Sequence, residues 1–115
     1  MISYEEFKKI EIRAGRVLSA EKIPETDKLL RLSIDFAEKD ETGAMKPRQI
    51  VSGIALHFPD PAMLVGKTCM FVTNLEPRTI RGVESNGMLF AVSNPEGGFS
   101  LLEPNGTIPP GTLAA

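Results

Sequence analysis

A chain of 115 residues with 42% hydrophobic and 24% charged residues fits one globular domain with a modest core, which excludes a disordered tail and a membrane protein. A net charge of −2 excludes a surface that is basic everywhere, so any affinity for a polyanion must come from a local group of cations. The lone Cys69 and the lone His57 exclude an internal disulfide and argue against a zinc site or a catalytic triad.

The chain is therefore expected to be non-catalytic and to need no cofactor. Cys69 lies in an apolar run, where a buried structural thiol is the favoured interpretation. No apolar run has membrane-spanning length, and the N-terminus lacks a basic leader followed by an apolar stretch. We expect a cytoplasmic location with no membrane contact.

The first element predicted along the chain is a short helix. Ser3 followed by Glu6 forms a capping-box pattern, which predicts a helix over residues 4–9 with Tyr4 and Phe7 facing inward, as a lid or an interface. From Ile10 the apolar residues alternate with polar ones, which predicts a first strand bent at its glycine, Gly15. A bent first strand indicates a closed barrel.

Two more strands follow. Apolar residues alternate with polar ones from Leu30 to Phe36, the clearest sign of a half-buried strand in the chain. Residues 37–47 are polar and predict a solvated hairpin connection without a function. Residues 49–54 predict the third strand, in which Gly53 marks a bulge or a close backbone approach.

The order of the remaining elements predicts the fold. Asp60, Pro61 and Gly66 are the signals of a helix of one to two turns, and strands are predicted at 67–74 and 87–93. Three strands, a short helix and two strands is the order of an all-β OB-fold, a five-stranded barrel. We expect one domain with an N-terminal helix (1–9), a barrel (10–93) and a C-terminal extension (94–115).

The extension carries apolar residues that must be shielded from solvent. Phe99, Leu101, Leu102 and Ile108 stand among turn residues, and a partner subunit is a plausible cover for them. The amphipathic N-terminal start and this tail together predict a homodimer.

A polar segment, Asn74 to Met88, lies between the last two predicted strands and holds Arg78 and Arg81. Binding residues are common on loops that rigid elements position in this way. Guanidinium groups pair bidentately with phosphate oxygens, and Lys67 adds a mobile point charge nearby. The alternative is an ordinary solvated surface.

Five motifs in order give the chain a family resemblance; they are Phe7–Val17, Pro24–Leu30, Gln49–Ile54, Asn74–Leu75 and Ser85–Leu89. Together they resemble the tRNA-binding domain that occurs as a stand-alone protein, as the C-terminal appendage of methionyl-tRNA synthetase, near the start of the phenylalanyl-tRNA synthetase β chain and in CsaA proteins. The resemblance implies an OB-fold that recognises tRNA by shape, forms a homodimer in stand-alone members and assists an aminoacyl-tRNA synthetase. Stand-alone members are about this long.

The residues and the resemblance together predict a tRNA-binding set of cations, hydroxyls, an amide and a thioether: Arg13, Lys28, Ser52, Lys67, Asn74, Arg78, Arg81, Ser85 and Met88. The roles of Ser85 and Met88 rest mainly on the resemblance, since a turn residue and a core residue would otherwise be the simpler interpretation. Asn74 and Ser52 could instead cap loops. Lys28 could pair with Asp27 or Glu25, and Arg13 with Glu11 or Glu84.

Departures from the family pattern keep a second hypothesis open. Ala14 stands where the family usually has valine, and Glu25 adds negative charge beside the predicted RNA face. A CsaA-like chaperone or export factor that binds unfolded polypeptide is the alternative. An enzyme would depend on His57 alone. The central segment has no aromatic residue, which argues against a stacking platform for single strands and favours folded RNA.

Overall fold

Nine β-strands, one α-helix and two 3-10 helices make up the computed structural model, which describes residues 1–115. The strands are β1 (Ile12–Lys22), β2 (Leu30–Asp35), β3 (Arg48–Ser52), β4 (Thr68–Val72), β5 (Arg78–Ile80), β6 (Val83–Ser85), β7 (Met88–Leu89), β8 (Ala91–Ser93) and β9 (Phe99–Leu101). The α-helix α1 is Tyr4–Phe7, and the 3-10 helices are Ala55–His57 and Pro61–Leu64. None of these helices is long and apolar enough to cross a membrane.

Five of the strands form one antiparallel sheet in the order β3-β2-β1-β4-β7. The sheet curls until β3 meets the segment between β6 and β7. There the Asn86 amide donates to the Gln49 carbonyl at 2.8 Å, and the Val51 amide donates to the Ser85 hydroxyl at 2.9 Å. These bonds form the seam of a nearly closed five-stranded barrel, which confirms the predicted OB-fold.

The core follows the predicted alternation. The β2 side chains Leu30, Leu32 and Ile34 and the adjacent Phe36 are all at most 4% exposed. The Phe36 ring meets the Phe71 ring edge-on, with centroids 5.2 Å apart. Cys69 is 1% exposed, which confirms the predicted burial of its side chain, and this burial raises the pKa of the thiol to about 11.

The long strand β1 joins the two halves of the barrel. Its N-terminal half pairs with β4 and its C-terminal half with β2. A Cβ atom at Gly15 would lie 2.5 Å from Ile34 Cγ2, so glycine is needed there for close packing. The register of β1 against β2 shifts between Val17 and Ser19, two residues beyond the predicted bend at Gly15. Of the two alternatives predicted for Gly53, a bulge or a close backbone approach, the close approach is wrong, because no atom lies within 4 Å of its Cβ position.

Both predicted short helices are present, and the first is shorter than expected. Ser3 and Glu6 form the predicted capping box at α1, which ends at Phe7. Tyr4 and Phe7 are 73% and 39% exposed, so the prediction that they face inward was wrong for the single chain. The second helix is a 3-10 helix that begins, as predicted, with the Asp60 side chain accepting the Ala62 amide.

The polar segment 74–88 contains a β-hairpin, which the sequence interpretation as a loop missed. Strands β5 and β6 pair from Arg78 opposite Ser85 to Ile80 opposite Val83. Arg81 and Gly82 make the two-residue turn with φ of +52° and +80°. Positive φ at both central positions is typical of a type I′ turn, whose twist matches that of the paired strands. The two arginines are therefore carried by a hairpin.

The C-terminal extension is covered mostly by its own chain. The predicted fifth strand is split at Phe90, and its second half, β8, pairs with β9 instead of the main sheet. Leu101 is 8% exposed, and Phe99 packs against the core. Residues 111–114 then run along β1, where the Ala14 and Thr112 backbones bond at 2.9 Å. The tail therefore does not supply the open apolar surface that the homodimer prediction used.

Candidate nucleic-acid interface

Two predicted cations from distant parts of the sequence meet in one groove. The loop between β1 and β2 and the tip of the β5–β6 hairpin enclose a space of about 470 Å³, lined by Thr26, Asp27, Lys28, Leu29, Ile80 and Arg81. We call it the cationic groove. Lys28 and Arg81 are exposed, and neither forms an ion pair within the chain. The alternative that Lys28 pairs with Asp27 or Glu25 is not realised.

The backbone around this groove is held firmly. The Lys28 carbonyl accepts the Ala55 amide at 2.9 Å, which ties the β1–β2 loop to the first 3-10 helix. The type I′ turn fixes Arg81 at the tip of its hairpin. Rigid backbone with free cationic side chains is suited to a polyanion, because only the side chains must be ordered on binding.

Arg78, Met88 and Ser52 lie along the seam of the barrel that leads to this groove. Arg78 is exposed opposite Ser85 in the hairpin and makes no ion pair. Met88 is 44% exposed at the start of β7. Ser52 ends β3 opposite Leu30, and its hydroxyl has no hydrogen bond in the chain. These three side chains are available to a ligand.

Ser85 has a structural role in the barrel seam. It is 4% exposed, and its hydroxyl accepts from the Val51 amide at 2.9 Å and donates to the Gly87 carbonyl at 3.2 Å. Because the hydroxyl is buried and makes both of these bonds, it has little remaining capacity to bond to RNA. We therefore leave Ser85 out of the residues proposed to contact RNA.

Asn74 is occupied by the N-terminal segment. Its Oδ1 accepts from the Glu11 amide at 2.8 Å, and its Nδ2 donates to the Lys9 carbonyl at 2.6 Å. Both hydrogen-bonding ends of the side chain are thus used to fasten the residues after α1. The structure favours this bracing role over the reading of a base edge.

Arg13 and Lys67 are paired with carboxylates. Arg13 Nε bonds Glu11 Oε1 at 2.8 Å, the salt bridge that the sequence left open, and its Nη1 donates to the Gly111 carbonyl. Lys67 Nζ lies 3.4 Å from Glu103 Oε1. The structure therefore does not bring Arg13 or Lys67 into the cationic groove.

A network of charged side chains that was not predicted from the sequence braces the opposite end of the barrel seam. Arg48 forms a bidentate pair with Glu38, with N–O distances of 2.7 and 2.8 Å, and also donates to the Thr73 carbonyl. The Thr73 hydroxyl donates to Glu11, which also accepts from Arg13. The network links β3, β4, β1 and the tail. Members of the network lie up to 98 residues apart in the sequence. Glu11 and Arg13 are only two residues apart, and this spacing predicts their own contact but none of the others.

The network gives stability an acid dependence. The Arg48 hydrogen bonds lower the pKa of Glu38, and those of Arg13 and Thr73 lower the pKa of Glu11, from the ordinary value of 4.5. A lowered folded-state pKa means that the stabilisation is present above pH 4.5 and is lost as the pH falls through the folded-state value. We expect the melting temperature to fall below about pH 4.5 and the fall to be shallower in Glu38→Gln.

Thermal melts between pH 7 and pH 3 measure this effect. Glu96→Gln is the matched control, because Glu96 is exposed and forms no ion pair, and its acid profile should follow that of the wild type. An equally steep fall in Glu38→Gln and in the wild type would contradict the role of the pair.

The lone histidine, His57, is exposed at the end of the first 3-10 helix. Its ring stacks on Phe99, with centroids 3.8 Å apart and an interplanar angle of 7°. No group of three His, Cys, Asp or Glu side chains is placed to hold a metal ion.

Comparisons with known proteins agree with this geometry. The family model described as "Putative tRNA binding domain" matches residues 12–113. Methionine–tRNA ligases from Porphyromonas gingivalis and Methanoregula boonei are 43% and 50% identical over 111 and 112 residues, or 96% and 97% of this chain. The chain spans about 15% of the length of these curated relatives.

Two solved structures cover the whole chain. A MetRS-related protein from Pyrococcus horikoshii superposes with a TM-score of 0.85 at 36% identity, covering 100% of this chain and 98% of that one. The chaperone CsaA from Bacillus anthracis superposes with a TM-score of 0.81 at 30% identity, covering 100% and 99%. The match of the family model over nearly the entire barrel, supported by these relatives, means that the chain belongs to the tRNA-binding domain family.

Proposed function

We propose that the protein binds tRNA without catalysis, through phosphate contacts from Lys28, Arg78 and Arg81. The observation that carries the proposal is the meeting of Lys28 and Arg81, free of carboxylate partners, in one groove of a tRNA-binding domain. Ser52 and Met88 flank the same seam and offer a hydroxyl and an apolar surface to ribose or base. A cytoplasmic location follows from the proposed ligand.

The chemistry of the groove favours recognition of RNA shape. Cations contact the phosphate backbone, which is the same for every sequence, so they position the RNA without reading bases. Aromatic side chains are absent from the cationic groove, so stacking of unpaired bases contributes little there. The protein should therefore bind several folded tRNAs with similar affinity.

A titration of folded tRNA, heat-unfolded tRNA and duplex DNA across a salt series tests the proposal. With about four to six phosphates neutralised, log affinity should fall against log salt with a slope of about −3 to −5, and folded tRNA should bind tightest. Equal binding of all three nucleic acids, or affinity that ignores salt, would refute recognition of folded tRNA by phosphate contacts.

We also propose a homodimer that forms through the N-terminal segment. Tyr4, Phe7, Ile10 and Leu113 line an apolar cleft of about 340 Å³ and are 39 to 73% exposed in the single chain. An exposed apolar cluster of this kind is a common oligomer interface. A dimer would place two cationic grooves on one particle, so that a single tRNA could contact both.

Substituting Phe7→Asp should convert the dimer to monomer, because a carboxylate would be buried without a partner. Light scattering at micromolar concentration gives the mass directly. Met63→Asp is the control, since Met63 is 62% exposed and lies outside the cleft. A wild-type protein that is monomeric under these conditions would contradict the dimer.

The relatives suggest a partner for the complex. Methionine–tRNA ligases carry a similar segment within one chain. We propose that this protein presents tRNA to an aminoacyl-tRNA synthetase. Addition of the protein should lower the KM of a methionine–tRNA ligase for tRNA and leave its kcat unchanged, because the benefit comes from binding alone.

A second candidate function is the binding of unfolded polypeptide. It is favoured by the likeness to CsaA chaperones and by the apolar cleft beside α1. This function predicts suppression of the aggregation of an unfolded client, and loss of that suppression in Phe7→Asp. The tRNA hypothesis predicts instead that Lys28→Ala weakens tRNA binding more than Phe7→Asp does. It also predicts that the protein does not suppress aggregation of an unfolded client.

A further inference from the structure

A second groove lies at the other end of the barrel seam. It has a volume of about 590 Å³ and is formed by the β2–β3 loop, the start of β3 and the base of the β5–β6 hairpin. Only Pro47 among its lining residues lacks a polar side chain; the others are Glu38, Lys39, Lys46, Arg48, Gln49, Thr73, Glu84 and Asn86. We call it the polar groove. Such a lining is suited to a hydrophilic ligand.

The charges in the polar groove leave two cations free. Glu38 is neutralised by its bidentate pair with Arg48. Lys39 and Lys46 form no ion pair in the chain, whereas Glu84 is an unpaired carboxylate. Two free lysines and one free carboxylate give the groove a net positive charge, which favours an anionic ligand. The Glu84 carboxylate should weaken the binding of that ligand.

Two amide side chains face the same space. Gln49 Nε2 donates to the Glu84 carbonyl at 2.9 Å, which fixes the side chain and leaves its Oε1 as an acceptor. The side chain of Asn86 is partly buried and has no hydrogen bond within the protein, so it retains a donor and an acceptor. Hydroxyl groups of a sugar, which both donate and accept, match this set.

The loop that carries the lysines is already ordered. Lys39 and Met45 form a β-bridge, and the Lys46 amide donates to the Glu38 carbonyl at 2.9 Å. The Asp40 carboxylate accepts from the Thr42 and Ala44 amides at 2.8 and 3.1 Å. Because the backbone is fixed, binding would cost mainly the freedom of two lysine side chains.

We propose that the polar groove is a second contact for the ribose-phosphate backbone of the bound RNA, with Lys39 and Lys46 on phosphates and Gln49 and Asn86 on ribose hydroxyls. The proposal rests on the tRNA-binding function proposed above. Strand β3 spans about 13 Å in four residue steps, from Arg48 in the polar groove to Ser52, which pairs with Leu30 beside the cationic groove, so one RNA can contact both. The 2′-hydroxyl contacts would favour RNA over DNA.

Single substitutions in the polar groove test the proposal. Lys39→Ala and Lys46→Ala should each weaken tRNA binding by about three- to tenfold and reduce the salt slope by about 0.7 to 0.9. Glu84→Gln should strengthen binding. The matched control is Arg16→Ala, which removes one exposed, unpaired cation outside both grooves and should leave the slope unchanged.

Asn86→Ala separates sugar contacts from charge. It should reduce the preference for tRNA over DNA of the same sequence and leave the salt slope at the wild-type value, because no charge is lost. The barrel seam is retained, since that bond uses the Asn86 backbone amide. An unchanged RNA preference would overturn the ribose contact.

The outcomes distinguish this proposal from the proposed function. If wild-type protein does not bind tRNA, the function itself fails. If tRNA binds and Lys28→Ala weakens it, but Lys39→Ala and Lys46→Ala behave like Arg16→Ala, only the polar groove is refuted.

Discussion

Replacing Lys28, Arg78 and Arg81 together by neutral residues is expected to weaken tRNA binding by about a thousandfold. Each forms no ion pair in the chain, so each is free to meet a phosphate. A hydrogen bond to a charged group contributes about 1.5 kcal/mol or more, which is about tenfold per side chain. Three neutralised contacts should also reduce the salt slope by about 2 to 3.

The variant can be built without disturbing the hairpin. Arg81 has a φ of +52° and is followed by Gly82 at +80°, and Asn-Gly is a preferred pair for this turn. Lys28→Ala/Arg78→Ala/Arg81→Asn should therefore melt at or near the wild-type temperature. Retained stability would assign the loss of binding to the missing charges.

Charge-preserving exchanges provide the control. Arg78→Lys/Arg81→Lys keeps the net charge, so the salt slope should stay close to that of the wild type, with a modest loss of affinity because lysine lacks the guanidinium fork. Filter binding or fluorescence anisotropy with several tRNAs measures both quantities. A loss confined to one tRNA would contradict shape recognition and indicate base readout.

The sequence predicted the barrel well because its signals are local. The alternation from Leu30 to Phe36 and the capping residues Ser3 and Asp60 each act within a few residues. The β5–β6 hairpin was missed although Thr79, Ile80 and Val83 favour strands. Its strands are only three residues long, and its turn is Arg-Gly rather than the familiar Asn-Gly.

The candidate site was harder to predict because it depends on partners far apart in the chain. Residue type and family resemblance selected Arg13, Lys67 and Asn74, but the hydrogen bonds and ion pairs of these residues reach up to 98 residues away and occupy them. Conversely, the meeting of Lys28 with Arg81 depends on how the barrel closes. Sequence chemistry gives candidates, and the fold determines which of them remain free.

The Ser85 hydroxyl gives the sharpest conflict between the two sources of prediction. The resemblance assigns it to RNA, whereas the structure uses it to hold the barrel seam through the Val51 amide. Ser85→Ala would leave that amide buried without a partner, which costs about 1 to 3 kcal/mol. We expect the melting temperature to fall by several degrees, on the order of 4 °C or more for each kcal/mol in a domain of this size.

Ser52→Ala is the matched control for this change. Ser52 lies one residue beyond Val51 and is partly exposed, and its hydroxyl makes no hydrogen bond in the chain, so its removal should change stability by less than about 0.5 kcal/mol. Its loss should instead weaken RNA binding. Well below the melting temperature, Ser85→Ala should bind tRNA within about threefold of the wild type, since the cations of the groove remain. Undiminished stability with a tenfold or greater loss of binding would return Ser85 to the RNA contact set, because a seam residue cannot lose its bond without cost to the fold.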